Sequence, residues 1–186
     1  MTTLGAHAFV VCPIGVPAQW KDTWSWSSAE MIASRSEKAV AAVKARFPDH
    51  VAEGPLAYGG WSQGGTLASQ VLLARPGMFD RVVMVEVGHT PLDANAVAAG
   101  LVKGGAARAV VACSSIKCRG FAKELEGAAK RVKLPLRTVD VGLRGHWFDE
   151  PMFRAIGPAF VWSVEDTDEA RGWRGLDAAV KERNRT

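Results

Sequence analysis

Residues 55–65 read Pro55-Leu56-Ala57-Tyr58-Gly59-Gly60-Trp61-Ser62-Gln63-Gly64-Gly65. A short apolar run passes into a glycine-rich turn around one serine. The next residues, Thr66 to Ala74, have a helical pattern that Arg75-Pro76-Gly77 stops. Gly60-Trp61-Ser62-Gln63-Gly64 has the form G-x-S-x-G and falls where a strand turns into a helix, the context that pattern requires. A serine on so sharp a turn takes strained dihedrals, and residues without Cβ on either side let strand and helix approach closely. The turn lifts the Ser62 hydroxyl above the sheet. It also aims the Gln63 backbone N–H, with the positive end of the helix behind it, at the same point.

The flanking pattern fits a sheet with helices on both faces. Upstream, Ala8-Phe9-Val10-Val11-Cys12 is a continuous apolar run ended by Pro13 and Gly15, which predicts a buried strand entering a loop. From Ser28 to Phe47, Met31, Ile32, Ala39, Val40, Val43 and Phe47 recur at helical spacing, and Pro48 closes the element. Downstream, Arg81–Val87 and Ala109–Cys113 are apolar runs rich in β-branched residues, and Arg137–Val141 is a weaker third. Between the last two, Gly120 to Val132 places Phe121, Leu125, Ala128 and Val132 on one helical face. The alternation predicts an α/β three-layer sandwich with a mostly parallel sheet of about five strands. One domain over residues 1–186 is expected, with residues 163–186 as a charged helical tail.

In a parallel sheet, side chains that act on a common ligand sit on loops past the carboxyl ends of the strands. His146 meets that condition. It follows the last predicted strand in Val141-Gly142-Leu143-Arg144-Gly145-His146-Trp147-Phe148, a loop loosened by two glycines, and is the candidate general base. His89, just after another strand, is a rival, while His7 and His50 read as surface residues. The loop Cys12-Pro13-Ile14-Gly15-Val16-Pro17 is placed to present a second backbone N–H to an oxyanion, from Ile14, Gly15 or Val16; the same composition also suits a turn with no catalytic part.

With these residues in view, the sequence resembles a small serine hydrolase of the α/β-hydrolase fold. Gly60-Trp61-Ser62-Gln63-Gly64 is similar to the nucleophile elbow of the carboxylesterase, acyl-protein thioesterase and cutinase groups, and Gly145-His146-Trp147-Phe148 to the segment that carries their base. The resemblance covers about residues 8 to 162. It implies hydrolysis of a small-molecule ester or thioester through an acyl-serine, with no metal or organic cofactor. It also implies a carboxylate after the strand 109–113, but that loop reads Ser114-Ser115-Ile116-Lys117-Cys118. Glu86, one strand earlier and in an apolar run, is the first candidate. Asp93, Asp140 and Asp149 are alternatives, as is a dyad oriented by Ser114 or Ser115. A binding module that kept the elbow but lost the acid is the competing expectation. Against the family pattern the chain begins at the strand before the oxyanion loop, as a minimal member or a fragment would.

Of 7 tryptophans, Trp61 flanks the serine and Trp147 the histidine, and these two are the candidate substrate contacts; Trp20, Trp24 and Trp26 follow the first predicted strand. The remaining features mostly exclude. A net charge of +4 from 23 basic and 19 acidic residues gives no nucleic-acid signature. Arg171, Arg174, Lys181, Arg183 and Arg185 lie together near the C-terminus, but acidic residues are interleaved with them. No apolar run reaches the ~18 residues of a membrane span, and residues 1–8 carry no signal-peptide pattern, so a cytoplasmic location is expected unless a leader has been removed. The 3 cysteines exclude a multi-bridge scaffold. Cys113 and Cys118 are near enough to pair, with reduced buried thiols the simpler expectation. No His/Cys spacing suits a structural zinc, and no Lys stands where a phosphate-binding loop needs one.

Overall fold

In the computed structural model, which describes residues 8–18, 23–51, 53–165, 176–183 and 185, two short strands open the order of elements. Strands β1 (Val16–Pro17) and β2 (Trp24–Ser25) pair antiparallel, and helix α1 (Ala29–Arg46) follows. The main sheet is built from β3 (Leu56–Trp61), β4 (Phe79–Val85), β5 (Arg108–Cys113) and β6 (Leu136–Asp140), all parallel and in that spatial order. The connections carry α2 (Gln63–Thr66), α3 (Ala68–Ala74), α4 (Ala94–Lys103) and α5 (Ile116–Arg131). After β6 come α6 (Glu150–Val164) and α7 (Leu176–Arg183).

Period-two alternation along the inner strands divides the core into two layers. Val82 and Met84 of β4, with Ala109 and Val111 of β5, face Val71, Leu72, Leu101 and Leu125 of α3, α4 and α5. Val83, Val85, Val110 and Ala112 face the other way, onto Met152 and Ala159 of α6. Leu72, Leu101 and Leu125 are fully buried, each stabilising the fold by roughly 1.5–3 kcal/mol. Helix starts follow local chemistry. Ser28, Asp93, Ser115 and Asp149 each accept a first-turn N–H at the head of α1, α4, α5 and α6.

Four parallel strands stand where about five are expected, and the missing one is the run 8–12. Residues 8–12 form no strand, and Phe9 and Val10 are each 47% exposed. Phe9 stacks on Phe47 at the end of α1, at 5.1 Å between ring centroids. Val11 helps line a groove of about 750 Å³ between this segment, α1 and the outer edge of β3, with Ile32, Val40, Val43 and Tyr58. An apolar run supplies the side chains for a strand, but the strand also needs a paired ladder, and here the side chains line a groove instead.

Reduced thiols are likewise overturned. Cys113, at the end of β5, and Cys118, in the first turn of α5, form a disulfide, and Cys12 is a free, exposed thiol. The described tail helix α7 packs on α6, with Val180 over Gly157. Trp20, His7, Arg171 and Arg174 lie outside the described residues. Among the described residues no helix is long and apolar enough to cross a membrane.

Candidate active site

Ser62 sits between β3 and α2 with φ 52° and ψ −114°, a backbone that disfavours any side chain. Its N–H donates to Val85 O at 2.8 Å, so the residue leaves the strand while still tied to β4. The first bond of α2 runs from Thr66 N–H to Ser62 O, which leaves the Gln63 N–H outside the helix ladder. The hydroxyl makes no capping bond either. It lies 2.9 Å from His146 Nε2.

The close approach comes from Gly60, the first glycine of the five-residue pattern, and from Gly65 just beyond it, not from Gly64. A Cβ on Gly60 would lie 2.5 Å from Gly64 C, and one on Gly65 would lie 2.6 Å from Val87 Cγ1 and 2.7 Å from Gly60 O. At Gly64 a Cβ meets nothing nearer than Tyr58 Oη at 3.8 Å. Tyr58 instead holds that turn by donating its hydroxyl to Gly64 O at 2.7 Å, and burial pushes its phenol well above the ordinary range.

Of the acid candidates, Glu86 is the one brought to the histidine. It follows β4, is fully buried, and has φ 52°. Oε1 accepts from Ser114 N–H, Ser114 Oγ at 3.1 Å and Ser115 N–H at 3.2 Å. Oε2 faces His146 Nδ1 at 3.4 Å and His89 Nε2 at 3.2 Å. Burial raises the carboxyl's pKa, but the bonds from Ser114, Ser115 and His89 outweigh it and hold the group below its ordinary value. The other three carboxylates have local duties. Asp93 caps α4, Asp140 takes Gly142 N–H and pairs with Arg119, and Asp149 caps α6 while pairing with Arg144.

Ser114 has a second task. Its carbonyl accepts Arg144 N–H at 2.9 Å and Gly145 N–H at 3.0 Å, and its hydroxyl lies 2.7 Å from Gly145 O. One residue thus fixes both the carboxylate and the loop that carries His146. The sequence names Ser114 only as a substitute for the acid; its role as an anchor for two segments has no local signature. His89, expected as a rival base, lies against the ring it was to replace: its Nε2 is 2.8 Å from His146 Nδ1 and 3.1 Å from Ser115 Oγ. Gly88, at φ 80°, lets the chain reach there, since a Cβ would lie 2.7 Å from Phe121 Cβ.

Trp61 is 44% exposed and stacks on His146 at 5.1 Å; Phe148 stacks on Trp61 at 6.3 Å and touches Phe153 at 4.4 Å. Trp147 is 64% exposed and lies over Gly145. The two phenylalanines therefore join an aromatic wall that sequence reading assigns to tryptophans. Ile14 and Gly15 turn their carbonyls to the Arg35 guanidinium, and Gly15 packs on Ser25. Their link to the serine is indirect. Val16 pairs with Ser25, and the next residue, Trp26, is gripped by the Gln63 side chain, whose Oε1 accepts Trp26 N–H and whose Nε2 donates to Trp26 O, both at 2.9 Å.

Compared with known proteins, the chain matches no protein-family model, no curated protein and no solved structure.

Proposed function

We propose that the chain is a serine hydrolase of the α/β-hydrolase type, cleaving a carboxylic ester or thioester through an acyl-serine intermediate. The observation that carries this reading is the line of contacts from Ser62 Oγ to His146 Nε2 at 2.9 Å and from His146 Nδ1 to the buried Glu86 carboxylate at 3.4 Å. A nucleophile within hydrogen-bond reach of a base, itself oriented by a third group, is the arrangement that activates a serine.

In the proposed reaction His146 Nε2 takes the hydroxyl proton as Ser62 Oγ attacks the carbonyl carbon, and Glu86 balances the imidazolium that forms. The Gln63 N–H, free of the helix ladder, stabilises the oxyanion. His146 then gives the proton to the departing alcohol or thiol, and water, activated by the same nitrogen, releases the acid. Trp61 and Phe148 offer an apolar face beside the serine, which suits an acyl or aromatic group. The Cys113–Cys118 bond favours an oxidising compartment over the expected cytoplasm.

The test is labelling of the purified chain with a fluorophosphonate, which reports an activated serine whatever the substrate. Labelling of the native chain, lost in both Ser62→Ala and His146→Ala, supports the reading. A folded native chain that stays unlabelled overturns it and leaves a binding module.

A further inference from the structure

The Ser62–His146–Glu86 line needs one proton on His146 Nδ1, because Nε2 must keep its lone pair for the serine. That nitrogen belongs to a triangle of three atoms. His146 Nδ1 and His89 Nε2 are 2.8 Å apart, His89 Nε2 and Glu86 Oε2 are 3.2 Å apart, and Glu86 Oε2 and His146 Nδ1 are 3.4 Å apart. If His89 Nε2 carries no proton, the three polar edges share the one on His146 Nδ1. If it points at His89 Nε2, the lone pairs of His89 and Glu86 face each other; a second proton on His89 Nε2 would instead face the first across 2.8 Å. Protons alone satisfy this triangle poorly.

One cation satisfies it at once. Zinc takes imidazole nitrogen at about 2.0–2.1 Å and carboxylate oxygen at about 2.0–2.2 Å, so the edge of its ligand tetrahedron is about 3.3 Å. The three separations in the chain bracket that length. The donors are two imidazoles and a carboxylate, a set suited to divalent zinc and its first-row neighbours rather than to calcium or magnesium. The supports that catalytic metal ligands require are also in place: the other carboxylate oxygen, Oε1, is held by Ser114 and Ser115. Both histidine side chains are about one-third exposed, at 31% and 34%, which leaves an entry path and room for a fourth ligand from water. Ser115 Oγ stands 3.1 Å from His89 Nε2 on the same cluster.

We propose that Glu86 Oε2, His89 Nε2 and His146 Nδ1 form a binding site for a divalent transition metal, with Zn²⁺ the best fit, and that the ion silences Ser62. With the metal on Nδ1, the ring proton moves to Nε2, and that nitrogen loses the lone pair that takes the serine proton. The silencing rests on the serine-hydrolase reading; the metal site stands on the triangle alone. His89 is the residue that makes the difference, since without it two ligands remain.

The test uses the tag-free chain and Co²⁺ as a spectroscopic stand-in. Titration should give the visible bands of four-coordinate cobalt at one ion per chain, displaced by Zn²⁺. His89→Ala should weaken binding by roughly 100-fold, with circular dichroism used to check its fold. Because that variant can fail to fold, Zn²⁺ is also added to ¹⁵N-histidine-labelled native chain, where the Nδ1 signal of His146 and the Nε2 signal of His89 should move together. Bands that persist in folded His89→Ala place the ion elsewhere, the Cys12 thiol included, and overturn the site; so does the absence of bands, or of those shifts, in the native chain. In the same samples Zn²⁺ should block fluorophosphonate labelling and a chelator should restore it. Labelling that continues with the site filled overturns the silencing. A metal-free chain that binds cobalt but never labels overturns the hydrolase reading and leaves the metal site standing.

Discussion

Ser62 and Glu86 each stand one residue beyond a register pair, Trp61 and Val85, of adjacent parallel strands, and each has φ 52°. Two neighbouring strands thus make the same left-handed exit at the same level of the sheet. Ser62 N–H still reaches Val85 O at 2.8 Å, and Glu86 N–H reaches Ala112 O at 2.9 Å, so each residue is tied to the next strand over while its side chain swings toward His146. Positive φ on a residue with a Cβ costs about 1–3 kcal/mol, and sheet bonds that over-determine the backbone are what sustain it.

That cost is recoverable at the serine. Ser62→Gly should raise the stability of the chain by about 1 kcal/mol, a rise of roughly 2–4 °C in Tm for a chain of this size, because glycine accepts φ 52° without strain. The same variant should be silent toward the fluorophosphonate. Thermal melts of Ser62→Gly beside Ser62→Ala check it: if glycine gives no advantage over alanine, the turn is unstrained.

Replacing Glu86 separates the acid from its rivals. Glu86→Gln should lower ester turnover by at least about 100-fold, since an amide cannot balance the imidazolium, while Asp93→Asn and Asp140→Asn should stay within about threefold of the parent. Steady-state rates on an activated ester compare the three. A larger loss in an aspartate variant would move the acid role away from Glu86.

Acid should act on the same carboxylate. Its native pKa lies below the ordinary value, so its stabilising contribution is complete above the unfolded carboxyl's pKa, about 4.3. That contribution is lost as pH falls through the lower native value. Glu86→Gln cannot titrate. The Tm gap between native chain and variant should therefore be widest near pH 7 and narrow toward pH 3, with the depressed Asp149 acting on both chains alike. A gap that is constant with pH would mean that Glu86 is not depressed.

The glycines of the turn should part by their surroundings. Gly64→Ala places its methyl in ordinary contact with the Tyr58 hydroxyl and should fold and label normally, whereas Gly60→Ala and Gly65→Ala drive a methyl into backbone or Val87 and should cost about 2 kcal/mol or more. Soluble yield and denaturant midpoints distinguish them. Equal effects at 64 and 65 would contradict the packing described here.

The disulfide closes a short loop around Ser114 and Ser115. Chain entropy alone assigns such a loop about 2 kcal/mol, so the double variant Cys113→Ala/Cys118→Ala should melt several degrees lower. Because Ser114 holds Glu86 and the His146 loop, labelling should slow as well. Unchanged labelling with a lowered Tm would show that the bridge serves stability only.

Much of this layout was legible from residues. The inner strands announce themselves because burial on both faces demands unbroken apolar runs with β-branched residues among them, as in Val82–Val85 and Ala109–Cys113. Ser62 and His146 are legible because glycines bracket the serine and two glycines lead into the histidine. Residues 8–12 misled for a physical reason, since an apolar run does not say whether another strand is there to pair with it. Two helices have no clear signature in the sequence. α4 is built mostly of alanine and valine, with only Asn95 and Lys103 polar to mark a solvent face, and α6 carries Pro151 in its first turn and Pro158 inside, residues that read as breakers. The joining of Ser114 to Glu86 and to the 142–148 loop depends on three segments meeting, which no local pattern encodes.

Gln63 holds Trp26 by its main-chain N–H and C=O, so the grip is indifferent to which side chain position 26 carries. An amide is the one side chain that both gives and accepts in this way; Glu or Lys at 63 would supply half of it. The exposed side chain of Trp24 can therefore change without disturbing the turn at Ser62, whereas the Trp26 side chain packs against the core and Ser28 caps α1. Position 63 has no such freedom. Sequence drift is expected to collect at 24 rather than at 26 or 63, on a frame that a single glutamine keeps in register.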